Sequence, residues 1–296
     1  IIGAFAERMK FSAFLAFTVL WATFVYDPVC HWVWGAGGWL KNMGALDFAG
    51  GTVVHINAGI AALVAALIIG KRKSLNSHTP IPHSLPLVVL GTGLLWFGWF
   101  GFNAGSALAA NDIAVNAFVV THIAAAAAGL SWAIIDWVRN GKPTVFGTAS
   151  GIVAGLVAIT PAAGYVDVAS AVAIGFLASL FCFIAVTVIK PKLGYDDSLD
   201  AFGVHCIGGM WGALATGLFA SKLVNPSGAD GLFYGNPKQF FVQLAVVLVT
   251  AAYAFLATFL IYKLVDFVVR VRVSEKEELM GLDISQHRES AYTILE

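Results

Sequence analysis

The stretch Asp47-Phe-Ala-Gly-Gly-Thr-Val-Val-His55-Ile-Asn-Ala-Gly59 carries an acid and a histidine into an apolar run that continues to Ile69. An ionisable side chain at mid-bilayer costs about 2.5–3.5 kcal/mol on insertion scales, so it ordinarily faces the protein interior and serves a pathway. A related stretch, Asp200-Ala-Phe-Gly-Val-His205-Cys-Ile-Gly-Gly209, again sets an acid, small residues and a histidine at the start of an apolar run. The two histidines read as a candidate relay inside a membrane protein.

Composition agrees with that class. Of 296 residues, 59% are apolar and 11% charged, which excludes an ordinary soluble domain and a disordered chain alike. The 17 basic and 17 acidic residues cancel, which argues against nucleic acid as a partner. Cys30, Cys182 and Cys206 show no metal spacing and are assigned no chemistry. Neither HExxH nor GxSxG occurs, and Asp47 lies too far from His55 along one helix to pair with it, so no enzyme is expected. A haem-binding electron carrier would want its histidines at like depth in a four-His helix bundle; no cofactor and no metal are expected.

A helix needs about 20 apolar residues to cross a hydrocarbon core of roughly 30 Å. Eight runs approach that length: Phe11–Cys30, Phe48–Ile69, Leu85–Ala110, Ile113–Trp137, Val145–Val166, Ala169–Ile189, Ala201–Ala220 and Phe240–Val269. The fold expected is an all-α polytopic membrane protein, with Asp27-Pro28 stopping or kinking the first helix. The chain opens on Ile1 rather than Met, with no basic leader, and is expected to continue upstream.

Lysine and arginine sort the loops. One side holds Arg8 and Lys10, Lys71 to Lys73, Arg139 and Lys142, Lys190 and Lys192, and Arg270, Arg272, Lys276 and Arg288; the other holds Lys41, Lys222 and Lys238. Positive residues favour the cytoplasmic side, so both ends, including the C-terminus, are expected there. The His55 span then enters from outside and the His205 span from inside. At 1.5 Å per residue, His55 lies about 12 Å past Asp47 and His205 about 7.5 Å past Asp200, so the two can meet near the midplane. Oppositely oriented, similar motifs are the mark of inverted repeats, whose interface holds substrate in transporters. The glycines around both histidines permit close helix approach, either for a narrow passage or for packing alone.

Aromatic clusters lie at the outer ends of two runs: His31-Trp-Val-Trp34 and Trp96-Phe-Gly-Trp99-Phe-Gly-Phe102-Asn-Ala-Gly-Ser106. An interfacial aromatic belt explains them. So does a cation-binding mouth, in which ring faces attract the cation and Ser106 accepts a hydrogen bond from it.

The Asp47–Gly59 stretch followed by Gly70-Lys-Arg72 resembles the signature of the ammonium transporters, the Amt/Mep/Rh family. Ala6-Glu-Arg-Met-Lys-Phe11, Gly98-Trp-Phe-Gly-Phe-Asn-Ala-Gly-Ser106, Phe202-Gly-Val-His205 and Gly281–Tyr292 are similar to its bacterial Amt branch. The resemblance implies an eleven-helix inverted-repeat fold of which about eight transmembrane helices are present here. Residues 1–272 would be the transmembrane domain, N-terminally truncated, and 273–296 a cytoplasmic tail. It implies His55 and His205 as paired pore histidines, and Asp47 as the acid at the outer entrance. Trp34, Phe102 and Ser106 would form the ammonium recruitment site. His122 matches no family role and is read as structural. Asp47 is expected to contact backbone near Gly50 or Gly51 rather than the permeant.

The function implied is transport of ammonium or ammonia across the cell membrane: recruitment at the aromatic mouth, deprotonation, and passage of ammonia through a narrow hydrophobic pore. An ammonium sensor on the same fold and an Rh-type gas channel are the alternatives. The partners implied are the lipid bilayer, a homotrimer of the chain, and a PII-class regulatory protein at the tail. With mixed charge and little apolar surface, that tail alone is expected to be weakly ordered.

Overall fold

The computed structural model describes residues 1–73 and 82–290. Among them the regular structure is helical, with one isolated backbone bridge between Met9 and Arg272. In chain order the α-helices are α1 (Phe11–Trp21), α2 (Asp27–Trp34), α3 (Trp39–Met43), α4 (Asn57–Ile69), α5 (Leu85–Gly105) and α6 (Asp112–Asn140). They continue with α7 (Val145–Ile159), α8 (Val168–Ile184), α9 (Lys190–Leu193), α10 (Ile207–Phe219), α11 (Pro237–Val269) and α12 (Glu275–Met280). Several join through π-helical turns, so the spans are longer than single helices.

Among the described residues seven such helical stretches are long and apolar enough to cross a membrane: Phe11–Met43, Gly51–Ile69, Leu85–Gly105, Asp112–Asn140, Val168–Leu193, Phe202–Phe219 and Pro237–Val269. The remaining apolar run, Val145–Val166, departs from the expectation of a full-length span. Its helix, α7, has 15 residues and stops at Ile159. Pro161 follows, and its ring nitrogen has no N–H for the helix ladder. The irregular backbone beyond stays buried because other segments satisfy it. Ala49 and Phe48 donate their N–H groups to the carbonyls of Thr160 (3.2 Å) and Pro161 (3.1 Å). Asn116 Nδ2 donates to the carbonyls of Ala163 and Val166.

At Asp27-Pro28 the chain inserts a π-helical turn, Ala22–Tyr26, and resumes as α2. Pro28 leaves the carbonyl of Phe24 without its usual donor four residues on. The Tyr253 hydroxyl donates to that carbonyl at 2.6 Å.

Helices α6, α7 and α8 form one group, packed through Ala117, Ala124, Ala158, Ile174 and Ala178. Helices α1, α4, α10 and α11 form another around Phe17, Ile60, Val64, Ala213 and Tyr262. In lipid there is no aqueous driving force between helices, so close contact of small residues carries association. A Cβ on Gly155 or Gly175 would lie 2.5 or 2.2 Å from the same α6 carbonyl, that of Ala124.

On the basic face, fully buried Arg8 ties the start of the chain to the end of α4 and to the loop before His205. It donates to the carbonyls of Gly70 (2.6 Å) and Asp196 (3.0 Å) and pairs with the Asp196 carboxylate at 3.1 Å. Arg72 Nε donates to the same carboxylate at 2.9 Å. Burial pushes the Asp196 carboxyl up, but hydrogen bonds from Arg72 and the charges of Arg8 and Arg72 outweigh it and hold the group below its ordinary 3.8. A carboxyl with a depressed folded pKa adds stability that is complete above its unfolded pKa and is lost as pH falls through the folded one. The protein in detergent should therefore melt at lower temperature as pH drops below about 4, and Asp196→Asn should flatten that acid limb. An acid limb of unchanged slope in the variant would exclude Asp196 as its source.

The described part of the tail, 273–290, is ordered by what it meets. Val273 N–H donates to the Arg8 carbonyl, Arg272 bonds the carbonyls of Ile69 and Lys71 and pairs with Glu278 at 2.7 Å, and Ser274 with Glu277 caps α12. Phe11 N–H donates to Gln286 Oε1. Residues 291–296, with the last of the tail motif, lie outside the described residues.

Candidate functional site

The approach to His55 is built on a carboxylate that serves as a helix cap. Asp47 Oδ1 accepts from the N–H groups of Gly50 (2.9 Å) and Gly51 (2.7 Å), and Oδ2 from those of Thr52 (2.8 Å) and Val53 (3.0 Å). These are orphan donors of a helix start, where a carboxylate also suits the dipole. Curling the backbone round the carboxylate needs Gly50 at φ +113°, a conformation that other residues rarely adopt. The turn that follows, Gly51–Ile56, is π-helical, and His55 N–H donates to the Gly50 carbonyl at 3.0 Å. Trp34 Nε1 donates to the Asp47 carbonyl at 2.7 Å, which fixes that ring against the same turn.

His205 sits in a second π-helical turn, Phe202–Cys206, leading into α10. Here the structure corrects the pairing of acids. Asp200, read as the counterpart of Asp47, instead pairs with Lys190 at 2.6 Å. Burial pushes its carboxyl above the ordinary value, with Lys190 opposing. The capping acid is Asp197, whose Oδ2 accepts the Phe202 N–H at 2.8 Å. Asp197 stands eight positions before His205, as Asp47 does before His55, and Gly209 and Gly59 follow each histidine by four. Asp200 lies nearer His205 but three positions out of that register. The two halves also pack reciprocally. A Cβ on Gly59 would meet Cys206 at 2.5 Å, and one on Gly209 would meet the Gly51 carbonyl at 2.9 Å and His55 at 3.0 Å.

Between these turns the imidazoles meet, with Nδ1 of His55 and Nδ1 of His205 at 3.2 Å. Their rings lie 5.3 Å apart. Trp99 stacks on the His55 ring at 5.3 Å and 14°, and Phe102 lies 6.3 Å from it. Trp99 is held by its Nε1 donating to Thr160 Oγ1 at 2.8 Å, at the broken end of α7. Trp99 and Thr160 were not singled out from the sequence as site residues; Trp99 stands three positions before Phe102, hence on its face of α5.

Phe102 is exposed and Ser106, one turn on, donates its hydroxyl to the Phe102 carbonyl at 2.9 Å. Trp34 is tied to the Asp47 carbonyl, at the start of the turn that carries His55. His122 lies apart, exposed, stacked on Trp96 at 5.2 Å. Among the described residues no group of histidine, cysteine and acidic side chains is placed to hold a metal.

The sequence pattern of the Ammonium Transporter Family matches residues 1–292. The ammonium transporter of Bacillus subtilis is 53% identical over 99% of this chain and 72% of its own length. Ammonium transporter Amt1 of Archaeoglobus fulgidus is 54% identical over 99% and 74%. Among solved structures, Candida albicans Mep2 superposes with a TM-score of 0.87 at 40% identity, covering 93% of this chain. The chain spans 63% of that Mep2 chain. A match of this breadth, together with seven apolar helices of membrane-crossing length, makes the chain a multi-pass membrane protein of the ammonium transporter family.

Proposed function

We propose that this chain carries the conduction path of an ammonium transporter, in which ammonium is recruited at Trp34, Phe102 and Ser106, loses a proton, and passes His55 and His205 as ammonia. The observation that supports this most is the imidazole pair. A single Nδ1–H···Nδ1 bond at 3.2 Å leaves one ring with an accepting Nε2 and the other with a donating Nε2. Ammonia both donates and accepts, so a neutral pair of this kind matches it. His55 Nε2 is buried without a partner of its own. An ion would need charges or rings of carbonyls in place of its hydration shell, whereas Trp99 and Phe102 flank His55 with apolar ring faces. Leaving the charge behind avoids that cost.

Asp47 acts in this reading through the turn it caps, since both its oxygens are occupied by backbone. The basic loops and the tail face the cytoplasm, with the tail beneath a homotrimer and available to a PII-class regulator. Relatives that are themselves transporters favour transport over sensing.

Selectivity tests the proposal. Potassium shares the charge of ammonium but has no proton to lose. The full-length protein in liposomes should pass ammonium-driven current or uptake and no potassium. Replacing His55 and His205 together with acidic residues should let potassium leak. Substantial potassium flux through the wild type would rule out deprotonation as the basis of selectivity.

A further inference from the structure

Asn57, two positions after His55, stands where the π-helical turn Gly51–Ile56 becomes the regular helix α4. Asn57 and Val53 are both fully buried. At this joint one backbone bond changes hands. In an α-helix the N–H of residue 57 would donate to the Val53 carbonyl, four residues back. Here it is directed at the carbonyls of Thr52 and Val54 instead, and the Asn57 side chain takes the place it leaves, with Nδ2 donating to the Val53 carbonyl at 3.2 Å. Short polar side chains compete with the backbone for local partners in this way. A buried amide among apolar helices is costly, and Asn57 Oδ1 has no hydrogen-bond partner. The bond to Val53 is therefore what this side chain is placed to make.

The register at the joint decides where His55 points. Beyond it, α4 is fixed against the His205 turn by the close approach of Gly59 to Cys206, whereas His55 lies before it. If the Asn57 N–H recovered the Val53 carbonyl, the turn would give up its extra residue and His55 would swing relative to Gly59 by up to one residue step, about 100°. The 3.2 Å contact with His205 would not survive a rotation of that size. The His205 turn is held differently. Ile207, at the position equivalent to Asn57, has no side-chain donor, and the Val204 carbonyl of that turn receives Cys182 Sγ from α8 at 3.7 Å.

We propose that Asn57 is a positioning residue for the histidine pair: its side-chain bond to the Val53 carbonyl holds the π-helical register and so aims His55 at His205. Its effect on uptake rests on the transport reading above; its effect on the pair rests on the fold alone.

The test uses the full-length protein, with ammonium uptake read in liposomes and the Nδ1–H···Nδ1 bond read by magnetic-resonance coupling in isotope-labelled histidine. Asn57→Ala removes the donor. Asn57→Ser restores one, because a helical serine hydroxyl donates to the carbonyl four residues back. The two variants differ by one oxygen, so both should melt below wild type by similar amounts. Asn57→Ala should lose the coupling and take up ammonium about three- to tenfold more slowly, the scale of one lost hydrogen bond. Asn57→Ser should keep the coupling and stay within about twofold of wild-type uptake. Asn57→Leu, which keeps the volume without the donor, takes the place of Asn57→Ala if that variant does not fold. Coupling intact without the donor, coupling lost in Asn57→Ser as in Asn57→Ala, or uptake that follows melting temperature rather than coupling would each overturn the positioning role. A wild type that shows the coupling yet takes up no ammonium fails the transport reading instead, and the coupling in the variants still decides the role of Asn57.

Discussion

Replacing Asp47 by Ala is expected to collapse the entry turn and abolish ammonium uptake. Four buried backbone N–H groups, those of Gly50, Gly51, Thr52 and Val53, lose their acceptor at once. A buried donor left unpaired costs about 1–3 kcal/mol, so the sum of four is comparable with the whole stability of an ordinary domain. Asp47→Asn is the graded control. One amide oxygen can serve two of the donors, while its NH2 group faces the other two, so it should fall between wild type and Ala in both melting temperature and uptake. The order wild type, Asn, Ala is the expected result in detergent melting and in liposome uptake. If Asp47→Ala melts like wild type, the cap does not hold the turn, and if it also transports like wild type, Asp47 has no part at the entrance.

Much of this architecture is legible in the sequence because lipid leaves the chain few choices: every backbone group must be paired internally, so apolar runs become helices. Opposite entry of the two histidine spans is likewise enough to bring His55 and His205 toward one depth. What hydropathy does not carry is where a helix breaks inside an apolar run. Val145–Val166 is continuous in composition, yet α7 ends at Ile159 because Pro161 cannot donate and because Phe48 and Ala49 compete for the carbonyls beyond. That break gives Trp99 its anchor on Thr160, and neither residue declares itself without the fold.

The π-helical turns were hidden for a related reason. The two that carry the histidines each start at backbone N–H groups capped by a carboxylate, Asp47 before Gly51–Ile56 and Asp197 before Phe202–Cys206, and such a cap has no periodic signature. The same holds for Asp197 and for Arg8. In a count of loop charges Arg8 is one more basic residue on the inner side, whereas in the fold it is fully buried and bonded to three segments. Loop charge bears on orientation because that depends on totals; it does not say which acid meets which base, since partners 188 residues apart are joined only by tertiary structure.

Gly59→Ala should be as damaging as loss of the cap, by adding one methyl group where the two halves cross. Its Cβ would lie 2.5, 2.6 and 2.7 Å from the N, Cβ and Cα of Cys206, the residue that follows His205. Two of those atoms are backbone, so no rotamer change relieves the clash and α4 must move off the His205 turn. Overpacking costs roughly 1–3 kcal/mol where side chains can yield, and a backbone contact this short sits at or above that range. The same displacement would draw His55 and His205 out of their 3.2 Å contact. Gly91→Ala, in α5, is the matched control: a Cβ there meets nothing within 4 Å, and Ala is the better helix former. Gly59→Ala is expected to lower the melting temperature and cut uptake at least about tenfold, with Gly91→Ala at wild-type values on both counts. Wild-type uptake by Gly59→Ala would mean that the helices can part at this crossing without opening or closing the path, and close approach at Gly59 would no longer be a condition for the histidine pair to work.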